Sequence, residues 1–300
     1  MRARAPASVE ITHPDKLLFP ADEITKADLA SYYERVAQWM LPHVTGRPVS
    51  MQRFPDGVNR KGFFHKDIPH YFPGWIKRVE VPKANGSVTH LVIADAATLV
   101  YLVGQNTVTP HVWLSRADRV WQPDRLVIDL DPPPGGDFAA VRRAAGWAGE
   151  LMRELGFAPF AQVTGSKGIH VWTPVRRRAG FEDVRELARD IGRVLAAHHP
   201  DELTTEFRKA NRGERILVDT ARNGYAQTAV PPYAVRPRPG APVATPIEWG
   251  ELSDSKLRPD RWNVTNVLQR LTAKGDPWAD IASYARGISR ARRRIDSLLG

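Results

Sequence analysis

Three aspartates sit at the ends of apolar runs that read as buried β-strands: Asp129 and Asp131 in "RLVIDLDPPPGG" (125–136) and Asp219 in "RILVDT" (215–220). Side chains alternate faces along a strand, so Asp129 and Asp131 project from one face, about 7 Å apart along the chain. If Asp219 joins them, carboxylates about 4 Å apart repel by roughly 4 kcal/mol per pair at an effective dielectric near ~20. A divalent cation removes that repulsion. Oxygen ligands in a chain without cysteine select Mg2+ or Mn2+ over zinc. Two such ions can stabilise both the attacking and the leaving oxygen of a phosphoryl transfer. Spacing alone leaves a second reading open, in which D-x-D is a strand-end turn with solvated acids.

Between the second and third acids lies "TGSKGIH" (164–170). Its small residues let backbone N–H groups approach an anion, and Lys167 and His170 add positive charge. The G-x-x-x-x-G-K-[ST] spacing is missing and a strand follows, so the stretch is a hairpin turn that either holds phosphate or merely reverses the chain. Nearer the start, Arg53-Phe54 and "RKGFFHK" (60–66) mix cations with aromatic rings. Such mixtures bind nucleic acid, each stacked base contributing about 1–3 kcal/mol. Core packing accounts for Phe63 and Phe64 equally well.

Positioning these groups requires a framework. Thr25 and Asp28 form a capping box for a helix whose apolar stripe is Leu29, Tyr32, Tyr33, Val36 and Met40, with Pro42 expected to end it. From Arg47 to Pro123 the pattern predicts short strands, including a hairpin of "VEV" (79–81) and "VTHLVI" (88–93) around Asn85-Gly86. Asp137–Leu155 reads as a helix stopped by Gly156, and 159–175 as two strands around the Gly-Ser-Lys-Gly turn. A second long helix spans Phe181–His198, and "AQTAV" (226–230) is extended. Pro231–Pro246 is expected to wrap rather than pair, with helices near Arg261–Ala273 and Trp278–Leu299. The Arg-rich face of the last helix reads as solvated. Strands and helices without βαβ regularity predict an α+β fold.

Composition narrows the function. A chain of 300 residues, 42% hydrophobic and 25% charged, can bury a substantial core. No apolar run approaches the ~18 residues of a membrane span. Arg2 and Arg4 with no apolar segment behind them do not make a secretory signal, so a cytoplasmic protein without membrane contact is expected. The net charge of +10 predicts attraction to polyanions, although an arginine-rich chain can also reflect a GC-rich genome.

The order of the motifs says more than any one of them. A D-x-D strand, then [ST]-G-S-K-G-x-H, then a lone strand aspartate followed by "TARNGYAQTAVPPYAVRPRPGAP" (220–242) resembles the polymerase domain of bacterial ligase D, in the archaeo-eukaryotic primase superfamily. The resemblance runs from "HPDKLLFP" (13–20) through "RNGYAQTAVPPYAVR" (222–236) to "KGDPWAD" (274–280). It implies a primase-polymerase fold, with an RNA-recognition-like antiparallel sheet and an N-terminal α/β module around one cleft. One such domain would span 1–300: an N-terminal module to about 120, a catalytic core to about 250, then C-terminal helices.

By motif match, Asp129 and Asp131 would bind two Mn2+ or Mg2+ ions, and Asp219 would help hold the ion that activates the primer 3′-hydroxyl. Thr164, Ser166, Lys167 and His170 would hold the nucleoside triphosphate, assisted by Arg53, His111 and Arg236. Phe63 and Phe64 would stack on the template, Lys16 and Lys26 would grip a downstream 5′-phosphate, and Arg212 and Arg222 would add DNA contacts. His13 departs from the Asn common in relatives, and Tyr225 from a basic residue. The implied activity is template-directed addition of nucleotides, preferentially ribonucleotides, at gapped or broken DNA during non-homologous end joining in the bacterial nucleoid. Ku and a DNA ligase are the implied partners. Two rivals use the same residues: a two-metal phosphoesterase or nuclease, which leaves the triphosphate-type loop unexplained, and a non-catalytic basic nucleic-acid-binding module.

Overall fold

Helix α1 (Lys26–Val44) begins at the expected capping box: the Asp28 N–H donates to Thr25 Oγ1 at 3.1 Å, and the Thr25 N–H donates to Asp28 Oδ2 at 2.9 Å. Leu29, Tyr32, Tyr33, Val36 and Met40 are all buried. Pro42 does not end this helix. It removes one donor from the last turn, but the helix runs on to Val44, and the Thr45 N–H still reaches the Leu41 carbonyl at 2.9 Å. The protein is described here by a computed structural model covering residue 6 and residues 8–299; Arg2 and Arg4 of the expected non-signal N-terminus lie outside the described residues.

Two compact units make up the chain, and each is assembled from separated stretches. The first comprises the described residues up to Val120 together with Thr228–Ala244 and Trp262–Gly275. After α1 and the small pair β1 (Leu17–Phe19) and β2 (Ile24–Thr25), its strands are β3 (Val49–Arg53), β4 (Phe63–His65), β5 (Lys77–Pro82), β6 (Ser87–Val92) and β7 (Thr107–Trp113). Helix α2 (Ala96–Gly104) precedes β7 and packs against α1. Strands β5 and β6 form the expected hairpin, with Gly86 at φ +90°. Strands β8 (Ser115–Arg116) and β9 (Arg119–Pro123) lie where the chain leaves this unit. The later stretch 228–244 is tied back by α1: Tyr32 Oη donates to the Tyr233 carbonyl at 2.8 Å, and Tyr33 Oη accepts from the Val235 N–H at 3.1 Å.

The second unit comprises Trp121–Gln227, Thr245–Arg261 and the described residues from Asp276 onward. Its centre is β10 (Arg125–Asp131), flanked by β12 (Ile169–Pro174) and β14 (Ile216–Asp219), both antiparallel to it. Strand β11 (Phe160–Val163) pairs with β12, and the short β13 (Leu203–Thr204) pairs parallel with β14. Helices α3 (Phe138–Glu154) and α4 (Phe181–His198) contact β10. In the first unit β15 (Thr228–Ala229) completes a four-stranded sheet in the order β15-β7-β3-β4. In the second, β16 (Thr245–Ile247) completes the order β13-β14-β10-β12-β11-β16. The proline-rich stretch expected only to wrap therefore ends in a strand. Pro246 is tolerated because β16 is an edge, where the missing N–H can face away from the ladder.

The C-terminal helices are shorter than periodicity predicts. Arg261–Asn266 is a turn organised by Asn263, whose Oδ1 accepts from the Thr265 N–H at 2.9 Å, and α5 spans only Val267–Lys274. The helix expected from Trp278 is interrupted: a 3-10 turn at Ile281–Tyr284 is separated from α6 (Ser289–Leu299) by a stretch in which the Arg286 backbone pairs with that of Val175. Helix α6 is not a wholly solvated face either. Ala291 and Ile295 are buried, and Arg292 binds Glu186 and Asp190 of α4. The α+β class holds: mixed sheets, predominantly antiparallel, with helices outside them.

Candidate active site

The strand register of the second unit sets its chemistry. Asp129 stands directly opposite His170 on one neighbour and opposite Asp219 on the other. Directly opposed residues share a face, so Asp129, Asp219, His170 and, by period two, Asp131 all project the same way. The hydrophobic residues on either side of Asp129, Ile128 and Leu130, are fully buried. A strand packed in this way holds its acids more firmly than a loop could.

Basic side chains surround the acids. Lys167 Nζ lies 3.0 Å from Asp131 Oδ1, His170 Nε2 lies 3.4 Å from Asp129 Oδ1, and Arg222 Nε lies 3.8 Å from Asp129 Oδ2. Burial pushes the Asp219 carboxyl above its ordinary range, and the charges of Asp129 and Asp131 push it further; the Ala221 N–H, which donates to Oδ1 at 2.8 Å, and Arg222 oppose them. Among the described residues, no three His, Asp or Glu side chains are gathered closely enough to enclose an ion. The donor set nevertheless fits a hard divalent cation, being three carboxylates on one face whose mutual repulsion is already felt at Asp219.

The loop "TGSKG" is a tight structure. Thr164 Oγ1 donates to the Gly168 carbonyl at 3.1 Å and accepts from the Gly168 N–H at 3.2 Å, and Gly165 takes φ +64°. A Cβ on Gly168 would lie 2.2 Å from the Leu130 carbonyl oxygen, so glycine is required for the loop to sit against β10 between the two acids. Ser166 is half-buried and Lys167 exposed, at the mouth of the turn.

Three contributions escaped the sequence reading: those of Asn223 and Gly168, and the packing of Tyr225, which the sequence marked only as a departure from a basic residue. The buried Asn223 donates from Nδ2 to the Val127 carbonyl at 2.6 Å and accepts at Oδ1 from the Val127 N–H at 2.9 Å. It replaces a strand partner for β10 beyond the end of β14, and so fixes the turn that carries Arg222. Tyr225, at the position where a basic residue is common in relatives, stacks on Trp121 with centroids 4.3 Å apart and planes 6° from parallel, and makes a T-shaped contact with Phe181. Gly168 is the third. The dipeptide Asn223-Gly224 reads only as a turn, and a glycine in a glycine-rich loop does not announce which carbonyl it approaches.

In the first unit the remaining expected residues form a basic and aromatic group. Phe63 and Phe64 lie on the edge strand β4 and are 46% and 54% exposed, so they are surface rings and not core. Arg53 on β3 lies 5.7 Å above Phe63, donates to the Gln105 carbonyl at 2.8 Å and contacts His65 Nδ1 at 3.0 Å. His111 on β7 meets the Phe64 ring edge-on at 5.2 Å and Gln52 Oε1 at 3.3 Å. Arg236 is half-buried, its N–H donating to the Pro242 carbonyl at 2.7 Å. Lys26 is buried, with Nζ donating to the Thr12 carbonyl at 2.8 Å. Burial holds its ammonium below the ordinary lysine range, and the nearby charges of Lys16 and Arg53 lower it further. His13, beside them, adopts φ +53°. Arg212, in the second unit, is engaged by its own loop, donating to the Glu206 and Phe207 carbonyls at 2.9 and 2.6 Å.

Carboxylates on one face of an antiparallel sheet, with the basic Lys167 turn beside them, are an arrangement suited to phosphoryl transfer. Residues 25–278 match the family model described as LigD, primase-polymerase domain. The chain belongs to that family. It is 35% identical over 292 residues to the multifunctional non-homologous end joining protein LigD of Pseudomonas aeruginosa, covering 97% of this chain and 35% of that protein. To the Mycolicibacterium smegmatis protein of the same name it is 33% identical, covering 92% of this chain and 36% of that one. The chain thus spans about a third of the length of these curated relatives. The polymerase domain of Mycobacterium tuberculosis ligase D, solved in complex with DNA, superposes with a TM-score of 0.87 at 31% identity, covering 93% of this chain and 100% of that one. Among the described residues no helix is long and apolar enough to cross a membrane.

Proposed function

We propose that this chain extends DNA 3′ ends by template-directed nucleotidyl transfer during non-homologous end joining, acting at gapped or broken DNA and favouring ribonucleotides. One polymerase domain spans 1–300 in this reading, with the catalytic core at about 121–250. The observation that carries it is the register placing Asp129 between His170 and Asp219, with Lys167 on Asp131. Asp129, Asp131 and Asp219 would hold two Mn2+ or Mg2+ ions, which supply Lewis acidity to the reacting phosphate and lower the pKa of the attacking hydroxyl.

The rest falls to the chain's own side chains. Lys167 and His170, now set against carboxylates, become available to phosphate oxygens once a nucleoside triphosphate arrives, with Thr164 and Ser166 shaping the turn. Arg53, His111 and Arg236 contact the nucleotide, and the exposed Phe63 and Phe64 offer faces to template bases. Lys16 and Lys26 take a 5′-phosphate, and Arg222 and Arg212 add contacts to DNA. Ku and a DNA ligase are the partners of this reading, and the nucleoid its place of action. A gapped DNA carrying a 5′-phosphate, offered with manganese and each class of nucleoside triphosphate, tests it. Primer extension that is lost in Asp131→Ala supports the reading; no extension by the wild-type chain, or equal extension by the variant, overturns it.

A further inference from the structure

In an in-line displacement the attacking and leaving groups lie on opposite sides of the reacting phosphorus. The Lys167 turn, which takes the leaving phosphates in the reading above, joins β11 to β12 on one side of β10. The attacking strand must then arrive from the other side, that of β14. There a cavity of about 340 Å³ opens between α4 and the end of β14, lined among others by Arg185, Arg189, Arg193, Phe207, Asp219 and Thr220.

The three arginines recur every fourth residue and share one face of α4, rising about 6 Å from one to the next. That interval suits neighbouring phosphates of an extended strand. Their charge is poorly spent within the protein. Arg189 is exposed and its guanidinium has no ion-pair or hydrogen-bond partner among the described residues. Arg185 meets Glu182 at 3.7 Å, an exposed pairing of little energetic weight. Arg193 lies 3.0 Å from Asp190, but Asp190 is shared with Arg292 of α6, which also takes Glu186. Helix α6 thereby neutralises acids of α4 and leaves the arginine stripe in excess. On the cavity's rim Phe207 is 71% exposed, held by the Arg212 bond to its carbonyl and with that guanidinium 5.8 Å from its ring.

We propose that this cavity is the subsite for the single-stranded acceptor whose 3′ end is extended, its phosphates on Arg185, Arg189 and Arg193 and a base on Phe207. The proposal rests on the polymerase reading, so its test has one arm that needs no catalysis. In that arm the full chain binds a fluorescent single-stranded oligonucleotide, read by anisotropy across a salt series. The Arg185→Ala/Arg189→Ala/Arg193→Ala variant is expected to bind about tenfold or more weakly, with a log–log salt slope shallower by about 2, at roughly 0.7 per lost phosphate contact. Replacing all three by lysine keeps the charge, and the slope is expected to return; circular dichroism and thermal melting confirm that both variants fold.

In the second arm, primer extension, KM for the acceptor strand rises while KM for the nucleotide does not. Wild-type affinity and salt slope in the alanine variant overturn the subsite, as does a KM increase confined to the template strand. If the wild-type chain extends nothing, the polymerase reading falls, and the binding arm still decides whether the arginine face holds a strand.

Discussion

The acidic face of the second unit and the basic, aromatic group of the first are built on opposite plans. The acids sit on β10 and β14, inner strands with apolar neighbours fully buried, and each carboxylate is placed by strand register. The rings of Phe63 and Phe64 stand on an edge strand, exposed, with Arg53 and His111 against them. A reacting group needs sub-ångström positioning and tolerates crowding of like charge only if the scaffold enforces it. A stacking platform for polymer bases needs accessible area and can tolerate mobility. The difference teaches which face should respond to a change of geometry and which to a loss of surface.

From that contrast, the largest effect is expected from the acids. Asp131→Ala should lower primer extension roughly 10³-fold, about 4 kcal/mol of transition-state stabilisation, while DNA affinity by anisotropy stays near wild type. Comparable losses in both would erase the distinction between the faces. Gly168→Ala tests geometry without removing a charge: the new Cβ meets the Leu130 carbonyl, so about 1–3 kcal/mol of stability should disappear in thermal unfolding, with a disproportionate loss of kcat.

On the other face, Phe63→Ala/Phe64→Ala should cost about 1–3 kcal/mol of template binding per stacked base and leave the melting temperature almost unchanged. A large drop in melting temperature would return these rings to the core. A milder effect is expected from Lys26. Its ammonium is held below the ordinary lysine range by burial, so it is charged below that lowered pKa and neutral above it. Preference for a 5′-phosphate should therefore fade as pH rises, earlier than for an ordinary lysine near ~10.4, and Lys26→Arg should hold the preference to higher pH. A pH-independent preference would remove Lys26 from phosphate binding. The smallest effect belongs to neither face: Thr25→Ala removes the α1 cap and should cost about 1 kcal/mol by chemical denaturation.

Much of the fold was legible. The α1 cap, the β5–β6 hairpin, α3 with its Gly156 stop and α4 all follow from local rules of capping, turn chemistry and apolar period. The failures share a cause. Pro42 and Pro246 were read as breakers, yet Pro42 costs the last turn of α1 one hydrogen bond without ending it, and Pro246 needs only the edge position that the sheet order gives β16. The C-terminal pattern was read as one helix because a local period does not register the backbone of Val175 pairing with Arg286, more than a hundred residues apart.

The same division runs through the site. The amino-acid order already placed Asp129 and Asp131 on one face and marked Lys167 and His170 as cations beside an anion-sized loop, because strand alternation and turn chemistry are local. Long-range pairing did the rest. It set Asp219 across from Asp129, used Asn223 to hold Arg222 at the acids and turned Tyr225 onto Trp121. It also brought Glu186 and Asp190 to Arg292 of α6, and left Arg189 without a partner among the described residues. Charge and spacing are written along the chain; which charges meet depends on the packing of segments distant in sequence.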